Sequence, residues 1–236
     1  GDDRTMSKQQ KKEIVQEFAK AIKQICPSLY IAGPDMNTGE EEMRWFVEAN
    51  GNIKSATGKP ATMCVRPGEK CGIPHEYGST GFGVFHATVV AAHHQGKNIE
   101  GMTVAIEGLG NVGTFAAQYL SDAGAKIVGI SDSKGLLYSS EGIDVKKMLN
   151  VKQKMGSVIN YTPGKVLPSH DIVGLDVDIL ITAAIPDLIK KEDVPRVKAR
   201  LIVEGSNIPM TVDVERMLHQ KGILVVPDFV ANAGGV

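Results

Sequence analysis

The sequence has almost no net charge, no long apolar run and few cysteines, and each shortage excludes something. Lys and Arg number 26 against 27 Asp and Glu, for a formal net charge of −1. So balanced a chain has no electrostatic reason to meet nucleic acid or an anionic membrane, and neither is expected as a partner. No apolar stretch approaches the ~20 residues that span a bilayer. The opening GDDRTMSKQQKK has no apolar signal-peptide core. Three cysteines, Cys26, Cys64 and Cys71, are an odd count that fits a reducing compartment. A cytoplasmic location follows as the expectation. The chain opens on Gly1 rather than Met and soon enters a helix, which reads as an excised piece.

What is present is ordinary globular material, enough at 236 residues for one large domain or a domain with an appendage. Ser7 with Gln10 forms a capping box, and Ile14, Val15, Phe18, Ile22 and Ile25 recur on one face of the helix that follows. SLYIAG reads as a short strand. Thr38 with Glu41 reads as the cap of a second helix carrying Met43, Trp45 and Phe46. Residues 51–78 are rich in Gly, Pro and polar side chains, so they read as loop and domain boundary. The expected division is 1–60 and 61–236.

Beyond that loop the rhythm changes. An apolar helix over 80–94 precedes the strand TVAIE, a helix over 111–123 and the strand KIVGI. A helix over 144–154 follows, then the apolar runs DILITAA, RLIVEG and GILVVPD, with a helix over 211–220 before the last. Continuous β-branched runs alternating with helices predict an α/β fold, a doubly wound parallel sheet covered on both faces.

The most specific segment is TVAIEGLGNVGTFAAQYLSDAGAKIVGISDSKG. Gly108, Gly110 and Gly113 make G-x-G-x-x-G between a strand and a helix that leads to a second strand, the context of a Rossmann-type dinucleotide site. Gly108 permits the tight turn, Gly110 the approach of a pyrophosphate, and Gly113 close helix–strand packing. The helix start at Asn111 and Val112 presents backbone N–H groups and a positive dipole end to phosphate. Asp132 ends the second strand where an acidic side chain accepts from a ribose. Ser131, Ser133 and Lys134 beside it suit a 2′-phosphate, so the cofactor expectation is NAD or NADP. A glycine-rich turn of some other α/β domain is the plainer alternative.

GPDMNT, TGKP, STGFGV, EGLGNVG, GISDSKGLLYSSEGID, VEGSN and PDFVANAGGV occur in an order that resembles the glutamate/leucine/phenylalanine/valine dehydrogenase family across nearly the whole chain. The extended SDSKGLLYSSEGID is similar to the glutamate branch. The resemblance implies NAD(P)-dependent oxidative deamination of an amino acid to a 2-oxo acid, and a homo-oligomeric, hexameric full-length protein. Residues 1–60 would then be the C-terminal part of a substrate domain. It places Asp35 as the proton-transferring carboxylate, Thr57 near the substrate, and Thr80, Ala183, Ala184, Asn207 and Asn232 against the cofactor. From the residues alone, Asp35 is equally a turn or capping residue, and each Thr or Asn equally satisfies local backbone.

This sequence departs from the family pattern in several places. CVRPGEKCGIPHEY lengthens the stretch between Thr57 and Thr80 and puts Glu76 near the place of a basic residue. Thr182 and Asp187 stand where Pro and Asn are usual. The Gly-Gly-x-Lys-Gly-Gly segment that carries the substrate lysines is not in this sequence, and the expectation is that this chain alone is inactive. The rival readings are a leucine-, phenylalanine- or valine-type enzyme and a non-catalytic dinucleotide-binding regulatory subunit. No metal is expected: Cys64, Cys71 and His75 lack recognised zinc spacing, and His93 and His94 suit a helix C-terminus.

Overall fold

The computed structural model describes residues 5–35, 37–68 and 71–235, with the side chain of His75 outside the description. Met36 of GPDMNT and two residues of the long loop, Glu69 and Lys70, likewise lie outside it. The chain forms two compact units that divide between Tyr77 and Gly78.

The first unit is built on two helices. Helix α1 (Lys8–Ala21) starts at the capping box foreseen, with the Gln10 N–H donating to Ser7 Oγ and the Ser7 N–H to Gln10 Oε1. Its buried line runs through Ala19, which packs with Met43, Phe46 and Val47 of α2 (Glu40–Asn50). Ile14, Phe18 and Ile25 stay exposed, so the apolar face read from the sequence is only partly buried. Thr38 does not cap α2. Gly39 does, its N–H bonded to Glu42 Oε2 at 2.8 Å, because the Thr38 hydroxyl is already spent on Asp35. Gly51 closes α2 in the left-handed region, at φ 79°.

The strand expected at SLYIAG does not form. The N–H groups of Leu29 and Tyr30 turn back to the Ile25 carbonyl and are not offered to a ladder. Only Ala32 pairs, in a single parallel bridge to Ala56. Cys64 and Cys71 are joined as a disulfide that clasps the 64–71 loop, so neither presents a thiolate to a metal. The remaining cysteine, Cys26, is free and buried.

The second unit holds a seven-stranded sheet. Helix α3 (Ser79–His94) leads to β1 (Thr103–Glu107), α4 (Asn111–Asp122) and β2 (Lys126–Asp132). Then come β3 (Gly135–Tyr138), α5 (Val145–Met155), β4 (Lys165–Leu167) and β5 (Ile179–Thr182). Strand β6 (Leu201–Glu204), α6 (Val212–Gln220), β7 (Leu224–Val226) and the short α7 (Asp228–Ala231) complete it. The order across the sheet is β4-β3-β2-β1-β5-β6-β7. From β2 to β7 every pairing is parallel.

Strands β3 and β4 are antiparallel, which the sequence did not predict. Asp132 pairs with Gly135 across a two-residue turn at Ser133 and Lys134, a hairpin too short to show a periodicity. The sheet is therefore mixed at one edge and doubly wound elsewhere. Alternation along the strands sends Val104, Ile106, Ile179, Ile181, Leu201 and Val203 into one core. Ala105, Leu180 and Ile202 enter the other. Burial on both faces is what a near-continuous apolar run demands. It also sets the carboxyl ends of β1, β5, β6 and β7 side by side.

Candidate functional site

The turn between β1 and α4 uses its three glycines for three different reasons. Gly108 sits at φ 85°, and a Cβ there would lie 2.4 Å from Ala184 Cβ. A Cβ on Gly113 would meet the Gly108 carbonyl oxygen at 1.9 Å, so α4 crosses the turn too closely for any other residue. At Gly110, the N-cap of α4, a Cβ would find nothing within 4 Å. Two glycines are thus required by the protein itself, and the third leaves an open face beside the helix N-terminus. Asn111 and Val112 form the first turn of α4 behind it.

Glu107, unmarked by the sequence reading, ends β1 and is buried to 6% exposure. Its Oε2 accepts from the N–H groups of Ala183 and Ala184, each at 3.1 Å. Burial pushes this carboxyl above its ordinary range, and the backbone donors oppose that rise. The same carboxylate therefore couples the end of β1 to the segment after β5.

Asp132 ends β2 as expected, but its carboxylate is turned to the protein. It accepts from the N–H groups of Lys134 and Val158, both at 2.9 Å, and from the Ser157 hydroxyl at 2.8 Å. Burial raises its pKa, but these donors and the nearby Lys152 charge outweigh burial and hold it below the ordinary carboxylate range. Gly108, Gly110, Asp132, Ser133, Ala183 and Ala184 line a single cavity of about 550 Å³. Glu107, Lys152, Ser169 and His170 line it as well, and none of these was singled out. Lys152 arrives from α5, and Ser169 and His170 from the segment after β4, far along the chain, whereas Glu107 stands beside the glycines but carries no motif of its own.

Past β6 and β7 the structure joins two more of the expected residues. Asn232 Nδ2 donates to Asn207 Oδ1 at 2.8 Å. The turn after α7 is seated on the start of α3, where a Cβ on Gly234 would lie 2.5 Å from the Ser79 carbonyl oxygen. Thr80, the next residue, is 9% exposed in the first turn of α3. The two departures are built into the same edge. Thr182 is fully buried, and its Oγ1 accepts from the Ser206 hydroxyl at 3.1 Å. Asp187 occupies φ 51°, a region Asn and Asp tolerate better than most residues.

In the first unit, Asp35 lies exposed in a turn whose backbone is held by Thr38. Thr57 is placed beside that loop, its N–H donating to the Ala32 carbonyl at 2.8 Å. A Cβ on Gly58 would lie 2.7 Å from Pro34 Cγ, so the TGKP and GPDMNT segments are in tight contact. Glu76 and Arg44 line a separate hollow of this unit, with Glu40, Pro60 and Tyr77.

Fold and turn geometry together define a Rossmann-type dinucleotide-binding unit, with a ligand edge along the carboxyl ends of its strands. The model of the Glutamate/Leucine/Phenylalanine/Valine dehydrogenase family matches residues 71–236, and the chain belongs to that family. It is 45% identical over 208 residues to an NADP-specific glutamate dehydrogenase of Saccharolobus shibatae, covering 87% of this chain and 48% of that protein. It is 32% identical over 242 residues to a catabolic NAD-specific glutamate dehydrogenase of Bacillus subtilis, covering all of this chain and 55% of that one. The hetero-hexameric glutamate dehydrogenase of Thermus thermophilus, in its Leu-bound form, superposes with a TM-score of 0.84 at 26% identity. That match covers 99% of this chain and 55% of the other. The chain thus spans about half the length of the curated relatives it matches.

Proposed function

We propose that the protein to which this chain belongs oxidatively deaminates glutamate to 2-oxoglutarate and ammonia with NAD or NADP. The observation that carries the reading is the β1–α4 turn, where Gly110 keeps an open face at a helix N-terminus. Such a terminus attracts phosphate through its unpaired N–H groups and partial positive charge. The residues of the β1–α4 turn and of the neighbouring strand ends suit a dinucleotide, and Gly108, Gly110, Asp132, Ser133, Ala183 and Ala184 among them share the cavity. Gly108, Gly110, Asn111, Val112 and Gly113 would hold the phosphates, and Asp132 and Ser133 the adenosine ribose. Ala183, Ala184, Thr80, Asn207 and Asn232 would hold the nicotinamide half. When bound, the cofactor supplies the hydride acceptor.

Asp35 would take and return the protons of the substrate nitrogen and of the attacking water, as a general base must. Thr57 would help position the substrate beside it. The first unit belongs, in this reading, to a substrate domain. The names of the relatives favour glutamate over leucine, phenylalanine or valine. A cytoplasmic homo-hexamer is the matching whole protein; among the described residues no helix is long and apolar enough to cross a membrane.

Titration with NADH and NADPH tests the cofactor assignment through enhanced nicotinamide fluorescence. No saturable signal with either would overturn it. In a protein of the relatives' full length, glutamate should reduce NAD(P), and Asp35→Asn should abolish turnover while sparing cofactor affinity. Faster turnover of leucine or phenylalanine would refute the choice of substrate. Cofactor binding without turnover of any amino acid would make the protein a regulatory subunit.

A further inference from the structure

Glu204, the last residue of β6, is a buried acid that the proposed chemistry does not use. It is 1% exposed, and among the described residues its Oε1 has no hydrogen-bond partner. A buried carboxyl with an empty oxygen is costly, so its retention asks for a role. The other oxygen, Oε2, accepts from the Asp228 N–H at 3.0 Å. That N–H opens α7, and it is one of the donors that a helix start leaves without an internal partner.

Asp228 then reaches back toward β6. Its Oδ2 accepts from the Ile208 N–H at 2.8 Å, and its Oδ1 from the Phe229 N–H at 2.6 Å. Ile208 is a β-branched residue at φ 49°, a backbone state that persists only when its surroundings over-determine it. Two contacts do so here: Asp228 holds its N–H, and the Asp187 N–H donates to its carbonyl at 3.0 Å. Asn207 precedes Ile208 directly. Asn232 follows α7, its N–H bonded to the Asp228 carbonyl at 2.8 Å. Each half of the Asn207–Asn232 pair is therefore tied to one aspartate, and that aspartate is tied to Glu204.

We propose that Glu204 and Asp228 are positioning residues that set the spacing of Asn207 and Asn232 for the nicotinamide end of the cofactor. The proposal rests on the cofactor reading given above. It goes further by assigning the placement of both amides to a carboxyl that touches neither cofactor nor substrate. The acceptor oxygen at Glu204 is what matters, so glutamine should replace it and alanine should not.

The test compares NADH with ADP-ribose, which lacks the nicotinamide, by calorimetric titration of the wild-type chain and three variants. Glu204→Ala and Asp228→Ala should each weaken NADH by about tenfold, the loss of one hydrogen bond. ADP-ribose affinity should stay within about twofold of wild type, since its β1–α4 site is untouched. Glu204→Gln should match wild type with both ligands. Should Glu204→Ala fail to fold, Asp228→Ala carries the same comparison. Equal weakening of both ligands would mean general collapse, and unchanged NADH binding would mean no positioning role. Loss of NADH in Glu204→Gln would make charge, not the acceptor, the cause. Each of these three results overturns the proposal. Failure of the wild-type chain to bind NADH would instead overturn the cofactor reading itself.

Discussion

Asn232 and Asn207, twenty-five positions apart in sequence, share one side-chain hydrogen bond of 2.8 Å at the carboxyl edge of the sheet. Each amide spends one group on its neighbour and keeps the other, so the pair presents a donor from Asn207 and an acceptor from Asn232. A double-mutant cycle with Asn207→Ala and Asn232→Ala should report a coupling of about 1 kcal/mol in chain stability. Additive losses in chemical denaturation would mean that the contact does not form in solution.

The glycines of the β1–α4 turn should separate folding from binding. Gly113→Ala drives a methyl into the Gly108 carbonyl oxygen and should cost about 1–3 kcal/mol or more of stability, as overpacking does. Gly110→Ala meets no protein atom, so its melting temperature should match wild type while NADH affinity falls. Thermal melts beside fluorescence titrations check both halves. Equal melting losses in the two variants would contradict the geometry.

Glu204 should leave a signature in the pH dependence of stability. Burial, and then the Glu215 and Asp228 charges, push its carboxyl up to about 7 from an ordinary 4.5. The unfolded chain releases this proton first, so its contribution is present in full below about 4.5 and drains away as pH climbs to about 7. A shift of that size corresponds to roughly 3 kcal/mol. Glu204→Gln should remove the decline, gaining on wild type at pH 8 relative to pH 5 in urea denaturation. Parallel pH profiles would contradict the assignment.

Asp132 should behave in the opposite sense. Its carboxylate is held below the ordinary range, so its contribution is present above the usual aspartate pKa and disappears as pH falls through the lowered value. Asp132→Asn should lose about 2 kcal/mol at pH 7, since a charged acceptor of two backbone donors is weakened. The gap from wild type should close in acid. A gap that persists at pH 3 would point to packing rather than charge.

Much of the second unit was legible because its signals are local. TVAIE, KIVGI and the 3.6-residue pattern of α4 each declare their state within a dozen residues, and the glycine spacing fixes the turn between them. The first unit was harder. The expected strand at SLYIAG failed because Ile25 recaptures its N–H groups, a matter of where the chain folds back and not of propensity. The β2–β3 hairpin is too short to carry a period. Glu107, Lys152 and His170 escaped notice for a different reason: a lone acid or base gains meaning only from neighbours that folding delivers. The odd cysteine count points to a reducing compartment, but it does not bear on a bridge between two cysteines close in sequence, and Cys64 and Cys71 form one.

The carboxylate of Glu107 accepts from two successive N–H groups after β5, so the β1–α4 turn and its neighbour are joined by the protein's own bonds. The disorder of those two turns is surrendered once, when the chain folds, and not again with each molecule bound. A dinucleotide bound there would meet a turn that Glu107 already holds in shape.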